Sequence, residues 1–373
     1  MKAQPPEGPE ARAVLRALRR ALEGPGPAVL LGGDGSAAEV PAGTAAVVTT
    51  SGSTGYPKSV VLSRSALISS ADATADRLGA GSWLLALPPT YVAGLQVLVR
   101  SLMAGREPAV LEGRFSARAF AAAARGMASS VGGERVPAFT SLVPAQLARL
   151  VAAADDTDVA SSLRAFDAIL VGGQALPAPL EEQATALGAR IVRTYGSSET
   201  SGGCVYDGVP LRGVDVRIED GEVQVSGPTL ADGYLGEPER TAAAFVRDAG
   251  GVRWYRTGDA GEHEDGRVRV TGRLDNVIIS GGVNVSLDRV EQVVRGLPGL
   301  AGAVVVGVED PRWGEAPAVV VTEDTAAELA DIRVAVRAAL GAPARPARLV
   351  RVPALPVLAS GKPDRVALRR LLG

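Results

Sequence analysis

Thr49-Thr50-Ser51-Gly52-Ser53-Thr54-Gly55-Tyr56-Pro57-Lys58 follows directly on the apolar run Ala45-Ala46-Val47-Val48. These ten residues carry five Ser/Thr hydroxyls, two glycines and one lysine. A strand that ends in such a loop offers main-chain N–H groups, hydroxyl donors and one fixed positive charge to a polyphosphate. It is not a Walker A loop, because Pro57 stands where the glycine before the lysine belongs. A flexible Ser/Gly linker is the plain alternative, and the strand directly before the loop and its Pro-Lys ending argue against that. Scarcity adds weight to Lys58. The chain has three lysines, Lys2, Lys58 and Lys362, against 36 arginines. Arginine is a planar fork, whereas lysine is a compact charge that fits a single phosphate or carboxylate oxygen.

Working outward, the 373 residues suggest two or three domains and leave ample length for a core. Apolar residues make up 46%, charged residues 21%, and the formal net charge is −2. Nothing there forces a basic patch, so no nucleic-acid partner is expected. The longest apolar runs, Ala303–Val308 and Ala316–Val321, are too short to span a bilayer. Residues 9–23 read as an arginine-rich surface helix with an apolar stripe of Val14, Leu15, Leu18 and Leu22. Its glutamates Glu7, Glu10 and Glu23 are wrong for a transit peptide, and no signal-peptide apolar region is present. The expectation is a soluble, cytoplasmic protein.

Single residues narrow the chemistry. Cys204 is the one cysteine, which excludes a disulfide framework and a cysteine metal site and reads as core. His263, the one histidine, lies in the polar turn segment Glu262–Gly266. Ser-His-Asp and Cys-His catalysis therefore lack a good base. The chemistry must rest on carboxylates, hydroxyls, lysine and arginine, with Mg²⁺ left open at this point.

From about 28 to 200, short apolar strands alternate with Ala/Leu/Arg helices. Strands are expected at 28–32, 45–50, 83–87, 108–111, 136–140, 168–171 and 190–194, and helices at 63–78, 92–104, 115–127, 144–153 and 177–187. That alternation indicates an α/β fold with a mainly parallel, layered sheet. Residues 212–272 turn to short strands with glycine turns and read as a β-rich subdomain. Beyond Asp275 a glycine loop, a helix near 286–296, strands at 303–308, 316–322 and 348–352, and helices at 325–340 and 363–372 read as a small α+β unit. The expected division is a large domain, 1–274, and a small mobile domain, 275–373.

Five segments stand in order. They are the 49–58 loop; Tyr195-Gly196-Ser197-Ser198-Glu199-Thr200; Trp254-Tyr255-Arg256-Thr257-Gly258-Asp259; Gly272-Arg273-Leu274-Asp275 with Ser280-Gly281-Gly282-Val283-Asn284; and Leu358-Ala359-Ser360-Gly361-Lys362-Pro363. Their order and spacing resemble the adenylate-forming acyl-CoA ligase superfamily, which includes luciferases and peptide-synthetase adenylation domains. The resemblance covers nearly the whole chain from residue 45. It implies a ligase that joins a carboxylate to ATP, releases pyrophosphate, and passes the acyl group to coenzyme A, with Mg²⁺ as metal.

The resemblance also implies roles. Thr50, Ser51, Gly52, Ser53, Thr54, Gly55 and Lys58 would hold the departing phosphates, with Gly173, Gln174 and Gly196 also at the nucleotide. Glu199 would help hold Mg²⁺, Ser198 would donate to the α-phosphate, and Tyr195 would pack against adenine. Asp259 would accept the ribose hydroxyls, and Arg273 would approach the ribose or the α-phosphate. Lys362 would bridge the attacking carboxylate and the α-phosphate, from an exposed turn. For thioester formation the small domain would turn about Asp275, exchanging Lys362 for the loop Ser280, Gly281, Gly282 and Asn284, whose glycines leave space for a pantetheine arm.

Within the superfamily, Ser198–Leu211, Val92-Ala93-Gly94-Leu95-Gln96 and Thr140-Ser141-Leu142-Val143-Pro144 resemble the o-succinylbenzoate–CoA ligases of menaquinone biosynthesis. Tyr91, Ser197, Gly202 and Gly203 would then line the acid pocket, the glycines leaving room for a flat ring. Another aryl- or acyl-CoA ligase, an adenylation enzyme loading a carrier protein, and a non-catalytic acyl-adenylate sensor are the alternatives. Three departures stand out. Only about 45 residues precede the phosphate loop, a loss of coverage that a homodimer would make good. Thr90-Tyr91 stands where relatives often carry histidine, and Ser197 replaces a common methionine.

Overall fold

The computed structural model describes residues 1–8, 10–33, 36–50, 57–127, 130–358 and 362–372. Two sheets frame the first two hundred residues. One has six strands among the described residues, in the order Gly233–Tyr234, Lys58–Ser63, Thr44–Thr50, Ala28–Leu31, Lys2–Gln4, Ala38–Glu39. The other runs Val209–Pro210, Gly202–Tyr206, Ile191–Ser197, Ala168–Val171, Ala138–Leu142, Ser82–Leu85, Ala109–Val110.

The mainly parallel expectation holds for the second sheet from Ile191–Ser197 to Ala109–Val110. There, alternate residues of one strand enter different cores, as period-two geometry requires. Trp83 and Leu85 pack with helices Arg64–Leu78 and Val92–Met103, while Leu84 packs with Phe120, Leu147 and Leu163 on the opposite face. The first sheet is mixed. Lys58–Ser63 pairs antiparallel with Thr44–Thr50, so the chain turns straight back after the phosphate loop. Sequence reading gives no strand there, because Lys58-Ser59-Val60-Val61-Leu62-Ser63 does not alternate. It also misses helix Thr157–Ala165, whose start is fixed by the Asp156 side chain accepting from Asp158 N.

Local chemistry sets the other helix ends. Ser63 and Ser116 accept from the N–H groups of Ala66 and Ala119, satisfying first-turn donors. Gly79, at φ +90°, ends the helix that Ser63 starts. Helix Ala11–Glu23 buries Val14, Leu15, Leu18 and Leu22, the stripe read from the sequence. No helix among the described residues is long and apolar enough to cross a membrane.

The β-rich part is a sheet of Asp215–Glu219, Glu222–Ser226, Arg253–Glu264 and Phe245–Arg247, with Arg267–Arg273 pairing along Arg253–Glu264. His263 lies in that last pairing, opposite Val268, and Asp265-Gly266 makes the turn with φ +49° and +72°. Beyond it, Val277–Ser280, Val283–Ser286, Val304–Asp310, Gly314–Thr322 and Arg348–Val352 form a separate sheet. Its apolar clusters draw only on residues from Ile278 onward. Cys204 is core, as expected, with its thiol pushed up to about 12 by burial.

Candidate active site

The strands that flank residues 51–57 pair with each other. Thr50 faces Lys58 across the ladder, and the Thr49 and Ser59 hydroxyls hydrogen-bond at 2.9 Å. Ser51, Gly52, Ser53, Thr54 and Gly55 lie outside the described residues. Lys58 projects toward a short helical turn at Ser198–Thr200, which Ser197 caps by accepting from Glu199 N. Glu199 is 3% exposed and forms an ion pair with Lys58, which is 22% exposed. The Tyr234 hydroxyl donates to Glu199 Oε1 at 2.9 Å, and Lys58 Nζ lies 5.1 Å from the Tyr234 ring centroid. Burial pushes the Glu199 carboxyl up, but the adjoining Lys58 ammonium outweighs it and leaves the group below the usual carboxylate range.

A second cluster is built where Arg253–Glu264 and Arg267–Arg273 pair, with Asp259 opposite Arg273. The Tyr195 hydroxyl donates to Asp259 Oδ2 at 2.6 Å, and Arg273 Nη1 donates to Asp259 Oδ1 at 3.1 Å. Burial raises the Asp259 carboxyl despite both partners. Burial and the Asp259 charge lift the Tyr195 phenol well above its ordinary range, so it remains a donor. Arg273 spends its other donors on Asp275, at 3.0 and 3.1 Å, and on Thr257 O at 2.8 Å. The guanidinium thus ties Asp259 to Asp275.

Lys362 arrives from the far end of the chain. Leu358 N donates to Lys362 O at 2.8 Å, and Asp364 N donates to Pro356 O at 2.9 Å, so the turn is pinned at its base. The side chain is exposed, as the sequence implied. Its ammonium nevertheless stands close enough to Asp259, Glu199, Arg273 and Lys58 for their charges to act on it. Surrounding protein lowers its pKa, and the two carboxylates pull it back. Solvent contact tempers both effects. Lysine and carboxylates far apart in sequence are thus brought within range of one another's charge.

Other expected residues fall around this group. Gly173, at φ +80°, and Gln174 follow the strand Ala168–Val171, and Tyr195-Gly196 lies in the adjoining parallel strand. The carboxyl ends of parallel strands are where open α/β sheets bind ligands. Ser198 is buried in the turn with Glu199. Tyr91 precedes helix Val92–Met103, with its phenol raised by burial. A side chain at Gly202 would meet Gln96 Cγ at 3.1 Å, and one at Gly203 would meet Tyr206 Cε1 at 3.1 Å. Here the two glycines let their strand pack tightly on its neighbours.

The glycine loop read from the sequence is the turn of a β-hairpin: Gly281-Gly282 connects Val277–Ser280 to Val283–Ser286, which carries Asn284. Gly281 has φ +58°, and a Cβ there would lie 2.4 Å from the Trp313 ring. Among the described residues, no hydrogen bond or ion pair joins this hairpin to the Lys58–Glu199–Asp259 group.

Two supporting residues escaped sequence reading. Tyr234, in Gly233-Tyr234-Leu235-Gly236, completes the Glu199 site, and its glycine-flanked aromatic was the available signal. Glu222 is buried and accepts from Gly258 N and Arg256 Nε, each at 2.8 Å, so it holds the strand irregularity beside Asp259. An isolated glutamate at a strand start gives no signal for that.

Known proteins resemble the chain throughout. The profile of the AMP-binding enzyme family matches residues 20–235, and that of the AMP-binding enzyme C-terminal domain matches residues 289–362. A probable 2-succinylbenzoate–CoA ligase of Mycobacterium tuberculosis is 40% identical over 99% of this chain and 97% of its own length. The o-succinylbenzoate CoA synthetase of Bacillus subtilis, solved with its acyl-adenylate intermediate, superposes with a TM-score of 0.73 at 28% identity. That match covers 89% of this chain and 70% of the synthetase. The amide bond synthetase McbA of Marinactinospora thermotolerans superposes with a TM-score of 0.74 at 31% identity, covering 94% and 76%.

Proposed function

The chain belongs to the AMP-binding enzyme family, and from that premise we propose that it converts o-succinylbenzoate to its coenzyme A thioester through an acyl-adenylate. One observation carries the adenylation chemistry: the Lys362 ammonium stands within electrostatic range of Asp259, Glu199 and Lys58, which come from elements far away in sequence. The choice of acid rests on the mycobacterial relative.

In the first step a carboxylate oxygen of the acid bonds to the α-phosphorus of ATP as the bond to the β-phosphate oxygen breaks. Two anions meet, so positive charge is the main requirement. Lys362 offsets charge on the attacking carboxylate and the α-phosphate. Lys58, at the root of the phosphate loop, steadies the departing pyrophosphate. Asp259 takes the ribose diol through lone pairs that its two present donors leave free, since a carboxylate offers about four acceptor positions. Tyr195 fixes the orientation of Asp259 and offers its ring to adenine.

Magnesium suits this site as an ion carried on the triphosphate. No group of three or more acidic, histidine or cysteine side chains among the described residues could hold one. Glu199 supplies a single carboxylate, and magnesium commonly takes one or two with phosphate oxygens and water. Bound there, it neutralises phosphate charge. In the second step the thiol sulfur of coenzyme A bonds to the acyl carbon, AMP leaves with its phosphate oxygen, and the thiol proton passes to solvent. Gly282, whose Cβ direction is open, and Asn284 meet the pantetheine arm after the small unit turns about Asp275.

The test is pyrophosphate release across a panel of carboxylic acids with ATP and Mg²⁺, followed by product analysis with coenzyme A, amines or a carrier protein. Release with o-succinylbenzoate and a thioester on free coenzyme A are expected. Release only with benzoate or fatty acids overturns the acid and leaves adenylation standing. A second reading, amide formation, draws on the likeness to McbA, and transfer to amines alone would favour it.

A further inference from the structure

Lys362 and its carboxylate neighbours belong to units with separate apolar clusters, so something at their junction must set the distance between them. The junction is polar. Asp288, in the first turn of helix Leu287–Arg295, accepts from Arg273 N through Oδ2 and from Asn276 Nδ2 through Oδ1, both at 2.7 Å. Arg273 is the last residue of the strand that pairs with Asp259. The same Oδ1 stands 3.6 Å from Arg365 Nη2, three residues beyond Lys362. Arg365 also donates to Glu291 Oε2 at 2.8 Å and Val305 O at 2.6 Å, which anchors the Lys362 turn to that helix. Arg369 Nη2 reaches Asn276 Oδ1 at 3.4 Å, and Leu287 N donates to Asn276 O at 3.0 Å.

Glycine makes the approach feasible. Gly272 has φ +151°, and a Cβ there would stand 2.9 Å from Asp288 Cβ. Only a residue without a side chain lets the carboxylate come this close to the strand end.

We propose that Asp288 is a positioning residue for adenylation: by bridging Arg273 N, Asn276 and Arg365 it holds Lys362 over Asp259 and Glu199. The role deepens the adenylation reading and rests on it. Asp288 touches no reacting atom and acts through Lys362. It is 21% exposed, open enough that its bonds can be broken and remade.

Three measurements test this: ATP–pyrophosphate exchange, thioester formation from synthetic acyl-adenylate, and hydrogen exchange of a peptide spanning 272–276. Asp288→Ala should lower exchange turnover about 10- to 100-fold, the cost of misplacing a catalytic group by ~1 Å. Thioester formation should fall far less, and the 272–276 amides should exchange faster. In a Lys362→Ala background the same substitution should add nothing to the exchange defect, because both act through one group. Asp288→Asn sets two amide donors face to face, and adding Asn276→Asp should restore most of the exchange rate.

Unchanged turnover in Asp288→Ala, an equal loss in both half-reactions, or a full further loss in the Lys362→Ala background would each overturn the proposal. If the wild-type protein activates no acid at all, the functional reading fails and the adenylation role of Asp288 goes with it. An active wild type with an indifferent Asp288 removes only the positioning role.

Discussion

Glu199 and Lys362 stand within range of one another's charge, yet they are held in opposite ways. Glu199 is buried, capped into a helical turn by Ser197, paired with Lys58 and bonded to Tyr234. Lys362 is exposed on a short turn, and its unit meets the rest through Asp288, Asn276 and Asp275. The comparison teaches a division of labour. The Glu199 side is assembled with the core and cannot move without unfolding it. The lysine is delivered by polar contacts worth about 1 kcal/mol each, which water can replace.

The sharpest attack on this contrast is Lys362→Ala. Losing a donor to the reacting centre should cost ~10²–10³ in adenylation rate. Stability should change by no more than about 0.5 kcal/mol, as for an exposed side chain. Pyrophosphate exchange and a urea titration measure the two together. A normal exchange rate would end the mechanism, and a large stability loss would end the contrast.

Lys58→Met attacks the other side. It strands a buried carboxylate and should lower stability by up to about 3 kcal/mol at pH 7. The pH dependence should change sign. In the wild type the folded Glu199 pKa is depressed, so the pair contributes stability above the unfolded value of ~4.3 and loses it as pH falls through the folded value. Without Lys58, burial outweighs the remaining donors and raises that pKa, and stability contributed at this site should increase as pH falls from 7. Urea titrations from pH 4 to 8 read this directly. A variant whose stability keeps the wild-type trend would show that Glu199 does not depend on Lys58.

The smallest effect belongs to Arg269→Ala. Its partner Glu262 is 49% exposed, and the pair lies toward the turn end of the hairpin whose other end carries Asp259 and Arg273. A loss within about 0.5 kcal/mol is expected, and a larger one would mean that surface charge contributes more to this sheet than the buried pair does.

Legibility in the sequence followed the range of each interaction. Glu199 and Asp259 were readable because each stands in a short motif whose sequence neighbours announce it, a helical turn for Glu199 and a glycine-kinked strand for Asp259. The expected roles of Arg273 and the 280–284 loop were less readable. Arg273 lies beside Asp275 in sequence, but its link to Asp259 exists only because two strands pair. The glycine at 281 reads as open space for a ligand, while the fold fills that space with Trp313. Tyr234 lies 35 residues from Glu199 and 176 from Lys58, and no local pattern joins them.

By itself the sequence determined the α/β class, the order of the motifs and the chemical types at the site. Hydrophobic period, glycine turns and rare lysines are local and survive without a fold. Only the tertiary structure decided that Lys58 pairs with Glu199, that Arg273 clamps Asp259 to Asp275, and that Asp288 sits where it can set the reach of Lys362. Those facts depend on side chains meeting within about 3 Å, a distance at which hydrogen bonds and ion pairs act. Chain segments far apart in sequence reach it only after the cores on either side have packed.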